Sequence, residues 1–214
     1  MPNHERPPAP KISLLRHQLN FPNFLTVLRI TLIPLVGFLM GEDRAGNGLR
    51  FLGVTLTMGQ ASAWVVLIAS ITDLLDGYLA RRWKSESLFG KFLDPVADKL
   101  LLMVGLIALA KLDRVAPWLV MALLSREFFI TGLRGIAIGE GLILSADRFG
   151  KVKLIFQMTG LAMLMWGEPL GGISMRSLGL LILYAALVLS LYSGGRYLAD
   201  FLYMASQKDS GRDF

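Results

Sequence analysis

Apolar stretches of about 20 residues, the length a helix needs to cross a bilayer, recur six times along this chain, at 21–40, 62–82, 91–111, 116–138, 149–167 and 177–203. Backbone groups in hydrocarbon have no water to bond, so such segments must be helical or closed into a barrel. With 54% hydrophobic residues the chain also exceeds what an ordinary soluble domain carries. The sequence therefore predicts an all-α polytopic membrane protein with six transmembrane helices. Pro22 and Pro117 suit helix starts, and Gly139, Gly141 and Gly167 suit helix ends. The sixth stretch is longer than a span and is expected to tilt or to run on past the membrane.

Loops left on the cytoplasmic side carry the excess of Lys and Arg. With the N-terminus inside, the inner segments hold thirteen of these residues and the outer segments five. Both termini are thus expected on the cytoplasmic side of a multi-pass protein of the cell (inner) membrane. Trp64, Trp118 and Trp166 fall at outer ends and Trp83 at an inner end, where indoles settle at the interface. The net charge of +6 fits anionic lipids and phosphorylated substrates better than nucleic acid. There is no cysteine, which excludes disulfides and thiolate chemistry. Residues 1–20 read as a tail and a short juxtamembrane amphipathic helix with Ile12, Leu15 and Leu19 on one face. Residues 21–204 read as one domain and 205–214 as a C-terminal cytoplasmic tail. Gly135 and Gly139 form a small-residue pair expected to pack within the protomer.

Ionisable residues inside a membrane cost about 2.5 to 3.5 kcal/mol each on insertion scales, so a cluster of them needs a compensating role. The second stretch ends with Asp73, Asp76, Gly77, Ala80 and Arg81, and the third begins with Gly90, Asp94 and Asp98. At about 100° per residue the first five share one helical face, and Gly90, Asp94 and Asp98 stack along another. Two antiparallel helices joined by a short loop would bring the stripes together. Four carboxylates converging in low dielectric stay ionised only if cations neutralise them. Hard oxygen donors point to Mg²⁺, Mn²⁺ or Ca²⁺ rather than zinc, since His4 and His17 both lie in the N-terminal segment. Two such ions sharing carboxylates is an arrangement that activates phosphoryl displacement. Gly77 and Ala80 leave room for a flat group against the backbone, or simply let helices pack closely, and Arg81 can fork onto phosphate oxygens.

These residues, with eight positions between Arg81 and Gly90, match every fixed position of the signature that the CDP-alcohol phosphotransferases carry, and the chain resembles that family. The resemblance implies that Asp73, Asp76 and Asp94 hold the metals and that Asp98, in the same ligand cluster, is the general base on the incoming hydroxyl. It implies Mg²⁺ or Mn²⁺, two ions, and a homodimer. It also implies a nucleotide- and diphosphate-binding set of Asp73, Gly77, Ala80, Arg81 and Gly90, joined by Asn23 and Thr26.

Further matches are similar to the phosphatidylglycerophosphate synthase branch: Pro22-Asn23, Thr26 and Arg29, then Arg126-Glu127, Ile130-Thr131-Gly132 and Arg134, then Gly150-Lys151, Lys153 and Gln157-Met158. Gly135 and Leu154 depart from it, where an acidic residue and a threonine are expected. The branch implies transfer of the phosphatidyl group from CDP-diacylglycerol to glycerol 3-phosphate. A phosphorylated acceptor near four carboxylates needs dedicated cations, and Arg126, Arg134, Lys151 and Lys153 are the candidates. Lys151 and Lys153 also satisfy the inner-side charge excess by themselves. Two alternatives stand beside this reading: the same transfer to inositol phosphate, serine or a phosphatidyl group, and a divalent-cation transporter, which would spread its polar residues over both membrane halves.

Overall fold

The computed structural model describes residues 21–43, 48–51, 54–83, 88–142 and 148–209; side chains are described at these positions except 21–27, 50–51, 54, 73–83, 88–95, 148–149, 151 and 208–209. The expected N-terminal amphipathic helix and the extreme C-terminus fall outside the described residues. Six helices dominate: α1 (Phe21–Asp43), α2 (Met58–Trp83), α3 (Leu88–Lys111), α4 (Pro117–Gly139), α5 (Arg148–Trp166) and α6 (Met175–Asp209). Each contains one of the apolar stretches, with ends shifted by a few residues.

Between α1 and α2 lies an antiparallel hairpin, β1 (Gly48–Phe51) with β2 (Val54–Thr57), in which Leu49 faces Leu56. This hairpin is absent from the sequence expectation, which read helices only. Its strands are four residues each, too short for alternation to stand out.

Helix ends follow local chemistry. Thr57 and Gln60 form a capping box at the start of α2: the Thr57 hydroxyl accepts from the Gln60 amide at 3.1 Å, and Gln60 Oε1 accepts from the Thr57 amide at 3.0 Å. Pro117 occupies the first turn of α4. Its other end closes through bonds from the Leu142 amide to the Ala137 carbonyl and from Gly141 to Ile138, with Gly141 at φ 73°.

The helices alternate in direction, because one end of the bundle gathers the C-termini of α1, α3 and α5 with the N-termini of α2, α4 and α6. There Asp43 accepts from the Gly59 amide at 2.6 Å and from Arg114 Nη2 at 2.6 Å, while Arg114 Nη1 donates to the Met165 carbonyl at 2.9 Å. Arg176 donates to the Asp113 carbonyl at 2.6 Å, tying α6 to the turn before α4. Trp64 and Trp166 meet edge to face at this same end, with centroids 6.4 Å apart.

The core runs the length of the bundle through Val36, Met40, Val66, Leu106, Leu119, Leu123, Leu161 and Leu183, and a smaller cluster joins Ile130 and Leu133 to Tyr197. Helices α5 and α6 pack closest, because Gly160 and Gly179 face each other. A Cβ on Gly179 would lie 3.1 Å from the Gly160 carbonyl and 2.9 Å from Leu164 Cγ. Gly179→Val is therefore expected to destabilise the bundle by about 1–3 kcal/mol through overpacking, read as a lowered thermal midpoint in detergent. An unchanged midpoint would mean the crossing has slack.

Gly135 and Gly139 do not pack against the described residues of the protomer as expected: a Cβ on either meets nothing within 4 Å among them. They lie on an outward face of α4 beside exposed Phe128, Ile136 and Ile138. Elsewhere too the outward surface is apolar, with Ile68, Met121, Leu181, Val188 and Leu202 all exposed. One helix among the described residues, Met175–Gln207, is long and apolar enough by itself to cross a membrane. Helix α4 has the length, but it carries Arg126, Glu127 and Arg134 within its span.

Candidate active site

Away from the Arg114 network, two cavities lie among the described residues in the site half of the bundle. The larger, about 460 Å³, holds most of the charged side chains and lies between α3, α4, α5 and α6. Asp98 and Lys99 come from α3, Arg126, Glu127, Thr131 and Arg134 from α4, Lys153 and Gln157 from α5, and Ser193 and Tyr197 from α6. The smaller, about 160 Å³, is apolar and lies between α1, α2, α3 and α5, lined by Leu67, Ile71, Leu101, Ile155 and Met158 together with Arg29. Asp98 and Leu154 line both. Asp98 thus stands on the partition between a polar chamber and an apolar crevice.

Asp98 accepts from Arg29 Nη1 at 3.2 Å, and Arg29 is almost fully buried. This cross-helix ion pair fixes how the carboxylate is presented between the cavities.

The cations of the larger cavity are built differently from one another. Glu127 is the hub: Lys153 Nζ donates to its Oε1, Arg126 Nη1 lies 3.5 Å away, and Gln157 Nε2 reaches it at 3.5 Å. Arg126 is also tied to α6, donating from Nε to the Ser190 carbonyl and from Nη2 to the Ser193 hydroxyl, both at 2.7 Å. Gly194 makes that approach possible, since a Cβ there would sit 3.0 Å from Arg126 Nε. Arg134 rests on the Tyr197 ring, 5.5 Å from its centroid. Lys99 donates to the Thr131 hydroxyl at 2.6 Å, and that hydroxyl donates back to the Glu127 carbonyl one turn earlier. Buried charges without partners are costly, and the Glu127 hub meets that need for Lys153 and Arg126. Arg134 and Lys99 make no direct ion pair among the described residues: Arg134 lies on a neutral ring and Lys99 bonds a neutral hydroxyl, with Glu127 and Asp98 acting on Lys99 only through space.

Three of the four cations expected at an acceptor phosphate, Arg126, Arg134 and Lys153, therefore line one cavity with Asp98. The side chain of Lys151 lies outside the described residues. So do those of Asn23, Thr26, Asp73, Asp76, Gly77, Ala80, Arg81, Gly90 and Asp94, whose backbones are helical in α1, α2 and α3. The α2 wall of the apolar crevice reaches Ile71, and the helix continues through Asp73 and Asp76. Sequence reasoning missed Lys99, Thr131, Gln157, Ser193 and Tyr197 as parts of the cavity. A signal for the last two exists in Ser190 to Tyr197, a polar interruption in an otherwise apolar helix.

The sequence profile described as CDP-alcohol phosphatidyltransferase matches residues 19–192. A Bacillus subtilis protein named CDP-diacylglycerol–glycerol-3-phosphate 3-phosphatidyltransferase is 37% identical over 180 residues, covering 83% of this chain and 93% of its own. Proteins of the same name from Rickettsia felis and Shigella flexneri serotype 5b are 36% and 34% identical, over 86% and 85% of this chain and 96% and 94% of theirs. The profile spans α1 to α5 and α6 as far as residue 192, and the relatives cover more than four fifths of the chain, so the chain belongs to the CDP-alcohol phosphatidyltransferase family.

Proposed function

We propose that the protein transfers the phosphatidyl group of CDP-diacylglycerol to sn-glycerol 3-phosphate, giving phosphatidylglycerophosphate and CMP. The observation that carries this is the placement of Asp98 between a polar cavity and an apolar crevice. One side suits a water-soluble phosphorylated alcohol and the other the lipid end of the donor. Among the described residues lining the polar cavity four cations face two carboxylates, an excess that suits a dianionic phosphate monoester. Arg134 and Lys99, which make no direct ion pair among the described residues, would take that phosphate, with Arg126 and Lys153 held beside them by Glu127.

In this proposal the six helices all span the cell membrane, with both termini and the site on the cytoplasmic side. The outward apolar surface and the excess of Lys and Arg on the site side support it. The domain comprises residues 21–204, and a homodimer is included on the family resemblance.

The donor set, Asp73, Asp76, Asp94 and Asp98, consists only of hard carboxylate oxygens, one helical turn apart on α2 and again on α3, which fits Mg²⁺ or Mn²⁺. Two such ions would neutralise the donor diphosphate. Arg81, Asn23 and Thr26, with the small residues Gly77, Ala80 and Gly90, would hold the cytidine diphosphate. Asp98 takes the proton of the acceptor hydroxyl as its oxygen bonds to the lipid phosphorus, and the bond from that phosphorus to the CMP oxygen breaks.

Purified protein given labelled CDP-diacylglycerol with glycerol 3-phosphate, inositol phosphate, serine or phosphatidylglycerol tests this. Product is expected from glycerol 3-phosphate, lost on chelation and restored by Mg²⁺ or Mn²⁺. Product from another alcohol in place of glycerol 3-phosphate would overturn the acceptor.

A further inference from the structure

Gln157 sits in the wall of the polar cavity with no exposed surface, and its Oε1 has no hydrogen-bond partner among the described residues. Its amide is oriented, because Nε2 faces the Glu127 carboxylate at 3.5 Å and the reverse orientation would set two oxygens against each other. Glu127 is itself held by Lys153 and Arg126. The carbonyl oxygen is therefore a fixed, buried acceptor, and leaving such an atom unfilled costs about 1–3 kcal/mol.

The other polar groups of the cavity do not fill it as arranged. Lys153 and Arg126 are directed at Glu127 and α6, and Lys99 at Thr131. A phosphate dianion cannot fill it either, since it carries no donor hydrogen. A ligand that satisfies both the cations and Gln157 must bring a phosphate together with a hydroxyl. Because the reacting hydroxyl gives its proton to Asp98, the one facing Gln157 is a second hydroxyl.

We propose that Gln157 is a specificity-determining residue that accepts a hydrogen bond from the non-reacting hydroxyl of a phosphorylated polyol acceptor. This rests on the cavity being the acceptor site. It makes the middle hydroxyl of glycerol 3-phosphate a recognition element, and it sets the acceptor's orientation between Gln157 and Asp98.

The test compares glycerol 3-phosphate with propane-1,3-diol monophosphate, which lacks only that hydroxyl, as acceptors for the full-length enzyme. Wild type is expected to prefer glycerol 3-phosphate by about tenfold or more in kcat/KM, as a site built around a hydroxyl does. In Gln157→Met, of similar volume, the preference collapses to within about twofold, chiefly through glycerol 3-phosphate. A purely structural role would slow both acceptors equally and leave the preference intact, which would overturn the assignment. Equal use of the two acceptors by wild type would overturn it as well, whatever the variant does. Failure of the functional reading looks different: wild type would use neither phosphate while accepting another alcohol.

Discussion

Asp98→Asn is expected to lower the rate of phosphatidyl transfer by about 10²- to 10⁴-fold, the range for removing a positioned general base. The amide keeps the shape of the carboxylate and can still accept from Arg29, so the Arg29 contact at 3.2 Å and the packing around it survive. It cannot take a proton from the acceptor hydroxyl. Initial rates of CMP release by purified variant and wild type, at equal amounts of folded protein, measure the effect. A variant that retained more than about a tenth of the rate would remove Asp98 from the role of base. Because Asp98 is one of only two residues lining both cavities, no neighbouring carboxylate is placed to substitute for it among the described residues.

The largest effect on stability is expected at the other end of the molecule, with Arg114→Ala. Its guanidinium joins the C-terminus of α1 through Asp43, at 2.6 Å, to the carbonyls of Leu164 and Met165 at the end of α5. Asp43 also accepts from the Gly59 amide, so one ion pair ties three helices and the turn before α4. The Asp43 side chain is 6% exposed. Truncating the arginine leaves a buried carboxylate uncompensated and two helix-end carbonyls without their donor. The expected loss is about 3–5 kcal/mol. Arg114→Lys should recover only part of it, because an ammonium cannot fork between a carboxylate and two carbonyls. Thermal unfolding in detergent is the measurement, and a loss below about 1 kcal/mol would mean the network behaves as a solvated surface pair.

These two substitutions separate what residues do from where they sit. Arg114 lies at the end of the bundle opposite to the proposed chemistry, so Arg114→Ala should lower activity only through the amount of folded protein. Asp98→Asn should do the reverse.

The helices were legible in the sequence because each apolar stretch is continuous over about five turns, so its extent is a local property. The capping box at Thr57 and Gln60 and the glycine after α4 act within a few residues and end helices close to where composition changes. The hairpin was not legible, since two four-residue strands give too little periodicity and their stability comes from pairing with each other. Gly135 and Gly139 show the limit of a spacing rule: it identifies a surface on which something can pack closely, while the arrangement of neighbouring helices decides whether anything does.

The candidate site divides in the same way. The spacing of Asp73, Asp76, Asp94 and Asp98 is a sequence property, because positions one helical turn apart share a face in any helix. The distant cations Arg126, Arg134 and Lys153 could be named from their types and expected depth, and tertiary packing is what brings them into one cavity with Asp98.

Which of these cations is already neutralised could not be read from the chain. Lys153 and Glu127 are 26 positions apart, Arg126 and Ser193 are 67 apart, and Arg29 and Asp98 are 69 apart. The sequence by itself determined the helices, their order, and the spacing of the carboxylates along α2 and along α3. Only the tertiary structure decided that Glu127 and α6 engage two of the cations, that Arg134 and Lys99 are left without a direct ion pair among the described residues, and that Gln157, in the cavity wall, keeps a buried oxygen without a partner there. The physical reason is range: helix periodicity acts over one turn, whereas charge compensation and the satisfaction of buried polar atoms depend on which helices pack side by side.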